Sequence, residues 1–304
     1  MTHTNSSAIP AAPVKVSALR HLSCLRPQDI VVLQGPPLAG AVFAMRHAGL
    51  PDLAPLAILL VANILLVTHI FMLNDWSGLT ADLADPHKAG RVFTARGVGR
   101  KEMGVLTAAL MVLSLLLFWR LGPIPLGLAL AIAVLSALYS LPRFNWKGRP
   151  LLNSTAHLFG GVLHFLLGYS LWRAIDGRGI AIATFFALIF VAGHLTQEIR
   201  DHQGDAMNAI RTNAVMFGTR STFAASLILF GVAHVVLLLL VLQGILPRTL
   251  AVIVALYPVQ LYWSLRTLRG GLTYASVSRL QMRYRALYAL IGVAMAAALL
   301  TGLR

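Results

Sequence analysis

The chain has 304 residues, of which 58% are hydrophobic and only 12% charged, about half the charged fraction of a typical water-soluble domain. Its formal charge of +15 does not indicate a nucleic-acid binder, because the Lys and Arg residues lie in short segments between apolar runs rather than in one patch or arm. The single cysteine, Cys24, excludes an intramolecular disulfide and a cysteine-based metal centre.

Met1 to Val14 is polar and rich in Pro and Ala, with no basic start leading into an apolar core, and reads as a flexible cytoplasmic tail rather than a signal peptide. Apolar runs then predict spans near 29–45, 53–74, 103–119, 124–140, 152–172, 179–199, 221–242, 247–264 and 284–303, each close to the length that crosses a bilayer. Gln34, Gly35, Pro36 and Pro37 interrupt the first, as a broken helix facing protein or a cavity can tolerate. The expected fold is all-α: a polytopic membrane protein of about nine transmembrane helices around a central cavity opening to the cytoplasm. We expect residues 1–26 to form the tail and 27–304 a single transmembrane domain.

Basic residues orient these spans. With the N-terminus inside, 19 Lys and Arg fall on the cytoplasmic side and 6 outside, namely Arg46, Arg120, Arg173, Arg178, Arg248 and Arg304. Every inside segment, including the tail with Lys15, carries at least three. Removing any one span would scramble this alternation, so count and orientation support each other. The expected location is a multi-pass cell membrane with the C-terminus outside.

Acids are scarce: of ten Asp and Glu, six form two short clusters. Asp75, Asp82 and Asp85 follow the second span; Glu198, Asp201 and Asp205 follow the sixth. Asn74 and Asp82 are eight apart, while Glu198, Asp201 and Asp205 are spaced by three and four, so each set shares a helix face if the helices continue past the membrane boundary. Like charges gathered near a low dielectric need a compensating cation. Oxygen ligands without Cys or a His pair favour Mg²⁺ or Ca²⁺. Lys88, Arg91, Arg143, Lys147 and Arg211 lie near these clusters in the chain and could surround a metal-bridged diphosphate.

The segment Asn74-Asp75-Trp-Ser-Gly78-Leu-Thr-Ala-Asp82-Leu-Ala-Asp85-Pro86-His-Lys88-Ala-Gly-Arg91 resembles the first signature of the UbiA superfamily of intramembrane prenyltransferases. Glu198-Ile-Arg-Asp201-His-Gln-Gly204-Asp205, with Arg211-Thr212-Asn-Ala-Val-Met-Phe-Gly218, resembles its second. Tyr139-Ser140-Leu-Pro142, Lys147 and Pro150-Leu-Leu resemble the loop between them. Two positions depart from the pattern: Gly78 stands where the family has Asp, and Glu198 where Asp is usual.

The resemblance implies transfer of an isoprenyl group from a prenyl diphosphate to a small aromatic or lipid-like acceptor, with Mg²⁺ as cofactor and no nucleic-acid partner. The implied metal ligands are Asn74, Asp75, Asp82, Glu198, Asp201 and Asp205, with Asp75 or Asp85 compensating for Gly78. The implied diphosphate donors are Lys88, Arg91, Arg143, Lys147 and Arg211. Asp82, Asp201, Asp205, Lys147 and Tyr139 are the expected catalytic residues. His157, His164 and His194 could face the cavity, as could Asn153, Tyr169 and Gln197. Other readings of the same residues are a terpene cyclase, a phosphoribosyl-type transferase acting on a polyprenyl phosphate, a cation transporter and a non-catalytic binder of lipid diphosphates. The transporter is disfavoured by the position of the acids at span ends rather than mid-membrane.

Overall fold

The computed structural model describes residues 19–45 and 49–301, so most of the expected tail, with Lys15, and the loop and terminal residues Arg46 and Arg304 lie outside the described residues. The described chain is helical throughout: α1 (Leu19–Ser23), α2 (Pro27–Val32), α3 (Gly35–Ala44), α4 (Leu53–Ala84), α5 (Arg100–Leu121) and α6 (Pro123–Ser140) are followed by α7 (Leu152–Tyr169), α8 (Gly177–Met207), α9 (Asn213–Phe217), α10 (Thr219–Leu242), α11 (Tyr257–Arg269) and α12 (Tyr274–Leu300). Among the described residues, six helices are long and apolar enough to cross a membrane: α4, α5, α6, α8, α10 and α12. Of the three remaining expected spans, the one at 152–172 is α7, an unbroken helix as long as α6 but with Asn153, His157 and His164 in it, and the other two are broken.

The first is interrupted where the sequence suggests. Gln34 Nε2 bonds the Ile30 carbonyl at 2.8 Å, while Asn63 of α4 donates to Leu33 O at 3.1 Å and Gln34 Oε1 at 2.8 Å. Buried Asn63 therefore satisfies backbone that the α2–α3 break exposes. The expected span at 247–264 divides into a 3₁₀ segment, Arg248–Leu256, and α11. Pro258 opens α11, at a helix start, where its missing N–H costs nothing.

Length places the acids. α4 has 32 residues and α8 has 31, so each runs for roughly 45 Å, well beyond a hydrocarbon core of about 30 Å. Their C-terminal turns carry the two clusters side by side: Asn208 Nδ2 reaches Ala81 O at 3.1 Å.

Small residues set how closely the helices pack. A Cβ on Gly168 of α7 would lie 1.7 Å from Pro37 O, and one on Gly40 of α3 would lie 2.0 Å from Phe165 O. Backbone therefore touches backbone between α3 and α7, the close approach by which helices associate in lipid. Phe165, Ile182, Phe185, Leu237 and Ile253 build one core; Leu59, Leu66, Phe118, Ile132 and Leu167 build another. Val112, Leu116, Ile228 and Val235 remain exposed, as lipid-facing positions should.

Candidate active site

α4, α6, α7 and α8 enclose one side of a cavity of about 480 Å³. Each contributes a stripe at helical spacing: Phe71, Asn74, Asp75 and Asp82 from α4; Ile132, Ser136 and Tyr139 from α6; His157, Gly160 and His164 from α7; Phe190, His194, Glu198, Asp201 and Asp205 from α8. Acids mark one end, and aromatic and aliphatic side chains the other.

At the acidic end Lys88 Nζ lies 3.5 Å from Asp85, 3.5 Å from Asp201 and 3.8 Å from Asp82. Burial works against its ammonium, but the carboxylates of Asp201, Asp82, Asp205 and Asp85 outweigh this and hold its pKa above the ordinary lysine value. Arg200 grips Asp201 with both arms of its guanidinium, Nε to Oδ1 at 2.7 Å and Nη2 to Oδ2 at 3.0 Å, a bidentate fork that fixes the carboxylate plane. Arg26 donates to Asp75, and Arg285 bonds Asp29 at 2.9 Å. Residues 19–26, expected to belong to the tail, are thus docked beside the mouth, where Arg20 and His21 also engage Glu102.

Asp85 is 5% exposed and packs so tightly on Gly204 that a Cβ there would sit 2.3 Å from its Oδ2. Only a glycine at 204 lets this carboxylate approach α8. At Gly78 the reverse holds: among the described residues an added Cβ would meet only Asp82 Oδ2 within 4 Å, at 3.6 Å. The missing carboxylate there leaves room rather than a filled gap.

Glu198 is engaged elsewhere. Its oxygens accept from Asn153 Nδ2, from Asn213 Nδ2 at 3.1 Å and from the Ala214 N–H at 3.4 Å, while His194 Nε2 lies 3.0 Å away. These contacts tie α7, α8 and α9 together and leave Glu198 the least available of the expected metal ligands. Tyr139 meets His157 edge-on, with ring centroids 5.1 Å apart, and His157 stacks on His194 at 3.5 Å.

Of the expected diphosphate donors, Lys88, Arg91 and Lys147 line the cavity. Arg143 and Arg211 do not reach it. The turn closed by Asn145 N on Leu141 O, at 2.9 Å, leaves Arg143 exposed, and Arg211 is turned onto Met216 Sδ at 3.3 Å. In their place stand Arg26, Arg96 and Arg200, which sequence order reads as topology signals only. Tyr169 is buried away from the cavity, its hydroxyl donating to Asp176 at 2.9 Å. Ser136 also lines the cavity, signalled in the sequence by its place three residues before Tyr139.

Among the described residues, no three His, Cys, Asp or Glu side chains close into a cage that would hold a metal ion alone. Mg²⁺ does not need one, since it takes one or two carboxylates and completes its shell with water and phosphate oxygens. The oxygen donors Asp82, Asp201 and Asp205, with a cation already drawn among the acids in Lys88, suit such an ion.

A family model described as the UbiA prenyltransferase family matches residues 35–271. A lycopene elongase/hydratase of Haloferax volcanii is 32% identical over 68% of this chain and 69% of its own length. A digeranylgeranylglyceryl phosphate synthase of Methanoregula boonei is 30% identical over 54% of this chain and 58% of its own. The structure of a UbiA homolog from Archaeoglobus fulgidus bound to DMAPP and Mg²⁺ superposes with a TM-score of 0.73 at 16% identity, covering 93% of this chain and 99% of that one.

Proposed function

Because the chain belongs to the UbiA prenyltransferase family, a family of membrane-embedded enzymes, we propose that it transfers an isoprenyl group from a prenyl diphosphate to a small aromatic or lipid-like acceptor in a Mg²⁺-dependent reaction. The observation that carries this reading is the continuity of one cavity from a carboxylate-and-cation mouth into an apolar interior. Such a cavity suits a donor with a charged head and a hydrocarbon tail. Relatives point the same way: homologous structures hold DMAPP or GPP with Mg²⁺, and the named relatives are isoprenoid enzymes.

Asp82, Asp201 and Asp205 would hold Mg²⁺, with Asn74, Asp75 and Glu198 lining the same cavity and Asp85 buried behind Lys88. When bound, Mg²⁺ supplies positive charge against the diphosphate as its bond to carbon breaks. Lys88, Arg91 and Lys147 line the same mouth and add fixed donors where that charge develops. Arg200 holds Asp201 in place. Tyr139, below the acids, presents its ring to the allylic cation, and the apolar wall of Ile132, Leu135 and Phe190 keeps water from it. The basic-residue distribution supports a cytoplasmic mouth with the N-terminus inside and the C-terminus outside. Residues 27–304 then act as one transmembrane domain following the segment 1–26.

Purified protein in nanodiscs, given Mg²⁺ and geranyl, farnesyl or geranylgeranyl diphosphate, should release diphosphate only with an acceptor from a phenolic panel. Release should disappear in Asp201→Ala and Asp205→Ala. Acceptor-independent release with a cyclic product would replace transfer with cyclisation, and no release from any donor by folded protein would refute the proposal.

A further inference from the structure

The acidic mouth accounts for the donor's head, but not for two polar atoms at the other end of the cavity. Ser136 Oγ and His164 Nε2 are buried without a hydrogen-bond partner among the described residues. Their residues are 6% and 5% exposed, and both line the cavity. Ser136 lies one turn, about 4.5 Å, below Tyr139 along α6, and His164 lies about 10 Å below His157 along α7. Around them the lining is Ile132, Leu135, Phe190 and the bare Gly160.

Neither atom is idle by default. Hydroxyls in spanning helices commonly bond the carbonyl four residues back, as Thr68 does to Ile64 O at 2.7 Å and Thr107 to Met103 O at 2.8 Å. Others bridge helices, as Ser114 does to Ala62 O at 2.8 Å. Ser136 does neither. In His164, Nδ1 lies 2.9 Å from Gly160 O. A carbonyl only accepts, so the proton is on Nδ1 and Nε2 is a bare acceptor. His234 has the same arrangement, with Nδ1 on Phe230 O at 2.8 Å, but it packs against the rings of Phe185, Tyr257 and Tyr288 and does not line the cavity. Of these two histidines, His164 is the one that lines the cavity.

We infer that Ser136 and His164 form a subsite for a hydroxyl group on the acceptor, whose O–H donates to His164 Nε2 while Ser136 donates to its oxygen. This rests on the prenyl-transfer reading and narrows it: the acceptor is an apolar molecule bearing a hydroxyl, not an unfunctionalised polyene. A hydrocarbon filling the same space would leave both atoms desolvated and unpaired, and a site built to hydrogen-bond discriminates strongly against the ligand that lacks the group.

The probes are 1-naphthol and 1-methylnaphthalene, nearly equal in shape and differing in the hydroxyl. Equilibrium dialysis against protein-loaded nanodiscs, with uptake by empty nanodiscs subtracted, gives the ratio of their affinities. The wild type should favour 1-naphthol about tenfold or more. His164→Leu should bring the ratio close to one, Ser136→Ala should lower it severalfold, and His164→Gln, which keeps an acceptor, should retain part of it. No preference in the wild type, as expected if the floor holds only water, overturns the inference; so does a preference that survives in both His164→Leu and Ser136→Ala. Mg²⁺-dependent binding of geranylgeranyl diphosphate, measured on every protein, checks folding and separates the two proposals. If the wild type fails to bind the donor, prenyl transfer is refuted whatever the naphthol ratio; if donor binding is intact without a hydroxyl preference, only the subsite is refuted.

Discussion

Lys88→Met tests whether the acidic mouth is held together by a side chain that stands among the carboxylates as a cation. Each of its contacts, at 3.5, 3.5 and 3.8 Å, represents roughly 4–5 kcal/mol of Coulomb attraction at an effective dielectric of about 20. Desolvation of the buried groups offsets most of that total. Removing the ammonium leaves Asp82, Asp85 and Asp201 facing one another, and breaking a buried pair in this way costs about 3 kcal/mol. In a chain of this size, with an unfolding entropy of about 2.1 cal/mol/K per residue, that lowers the melting temperature by roughly 5 °C. Methionine keeps the length and apolar stem of lysine, so packing changes little. The loss should depend on what else neutralises the acids: with Mg²⁺ at about 100 times its Kd, the variant should recover about 2.7 kcal/mol. Melting in nanodiscs, in EDTA and in Mg²⁺, reads both effects. A variant as stable as the wild type in EDTA would refute the reasoning, as would a Mg²⁺-induced rise no larger in the variant than in the wild type.

Gly78→Asp places a carboxylate beside Asp82 in space that is open and should lower the Mg²⁺ concentration for half-maximal diphosphate release severalfold, whereas Gly78→Ala should not. Gly168→Ala forces a Cβ to 1.7 Å from Pro37 O and should prevent α3 from seating on α7, seen as aggregation or a large loss of melting temperature; Gly127→Ala, with nothing within 4 Å, is the harmless control. Asp176 caps α8 by accepting from Gly179 N at 2.7 Å, and that bond, ahead of the Tyr169 and Arg173 contacts, holds its pKa below the usual carboxylate value. Its contribution is therefore complete above the ordinary carboxylate pKa and is lost as pH falls through the depressed one. Asp176→Ala should cost about 1 kcal/mol at neutral pH, and the gap between variant and wild-type melting curves should close on acidification below about pH 4.

The helices and the acid clusters were legible because each is written locally. Apolar runs of membrane-crossing length predict α4, α5, α6, α8, α10 and α12 directly. The three and four residue spacings of Glu198, Asp201 and Asp205 require one face of one helix. Even the break at Gln34 to Pro37 is visible as an interruption. What is not local is which basic side chain enters the cavity. Arg143 and Arg211 follow the motifs in sequence, yet a tight turn and a methionine sulfur take them elsewhere. Arg26 reaches the mouth because α2 packs on α4, and Arg200 of α8 is held there by Gln281 of α12 at 3.0 Å, which no spacing encodes. Hydrogen-bond partners are equally invisible: no spacing shows that Asn153 and Asn213, from two other helices, engage Glu198.

The same distinction bears on the departure at Gly78. Read along the chain, it removes one carboxylate from the first motif, and Asp75 and Asp85 are equivalent substitutes. In space they are not equivalent. Asp75 is neutralised by Arg26, on a segment outside the motif. Asp85 instead lies on the side of α8, shares Lys88 with Asp82 and Asp201, and reaches there only because residue 204 has no side chain. Gly78 leaves open space beside Asp82 on α4, whereas Gly204 admits Asp85 to the Lys88 side of the acids from the following loop.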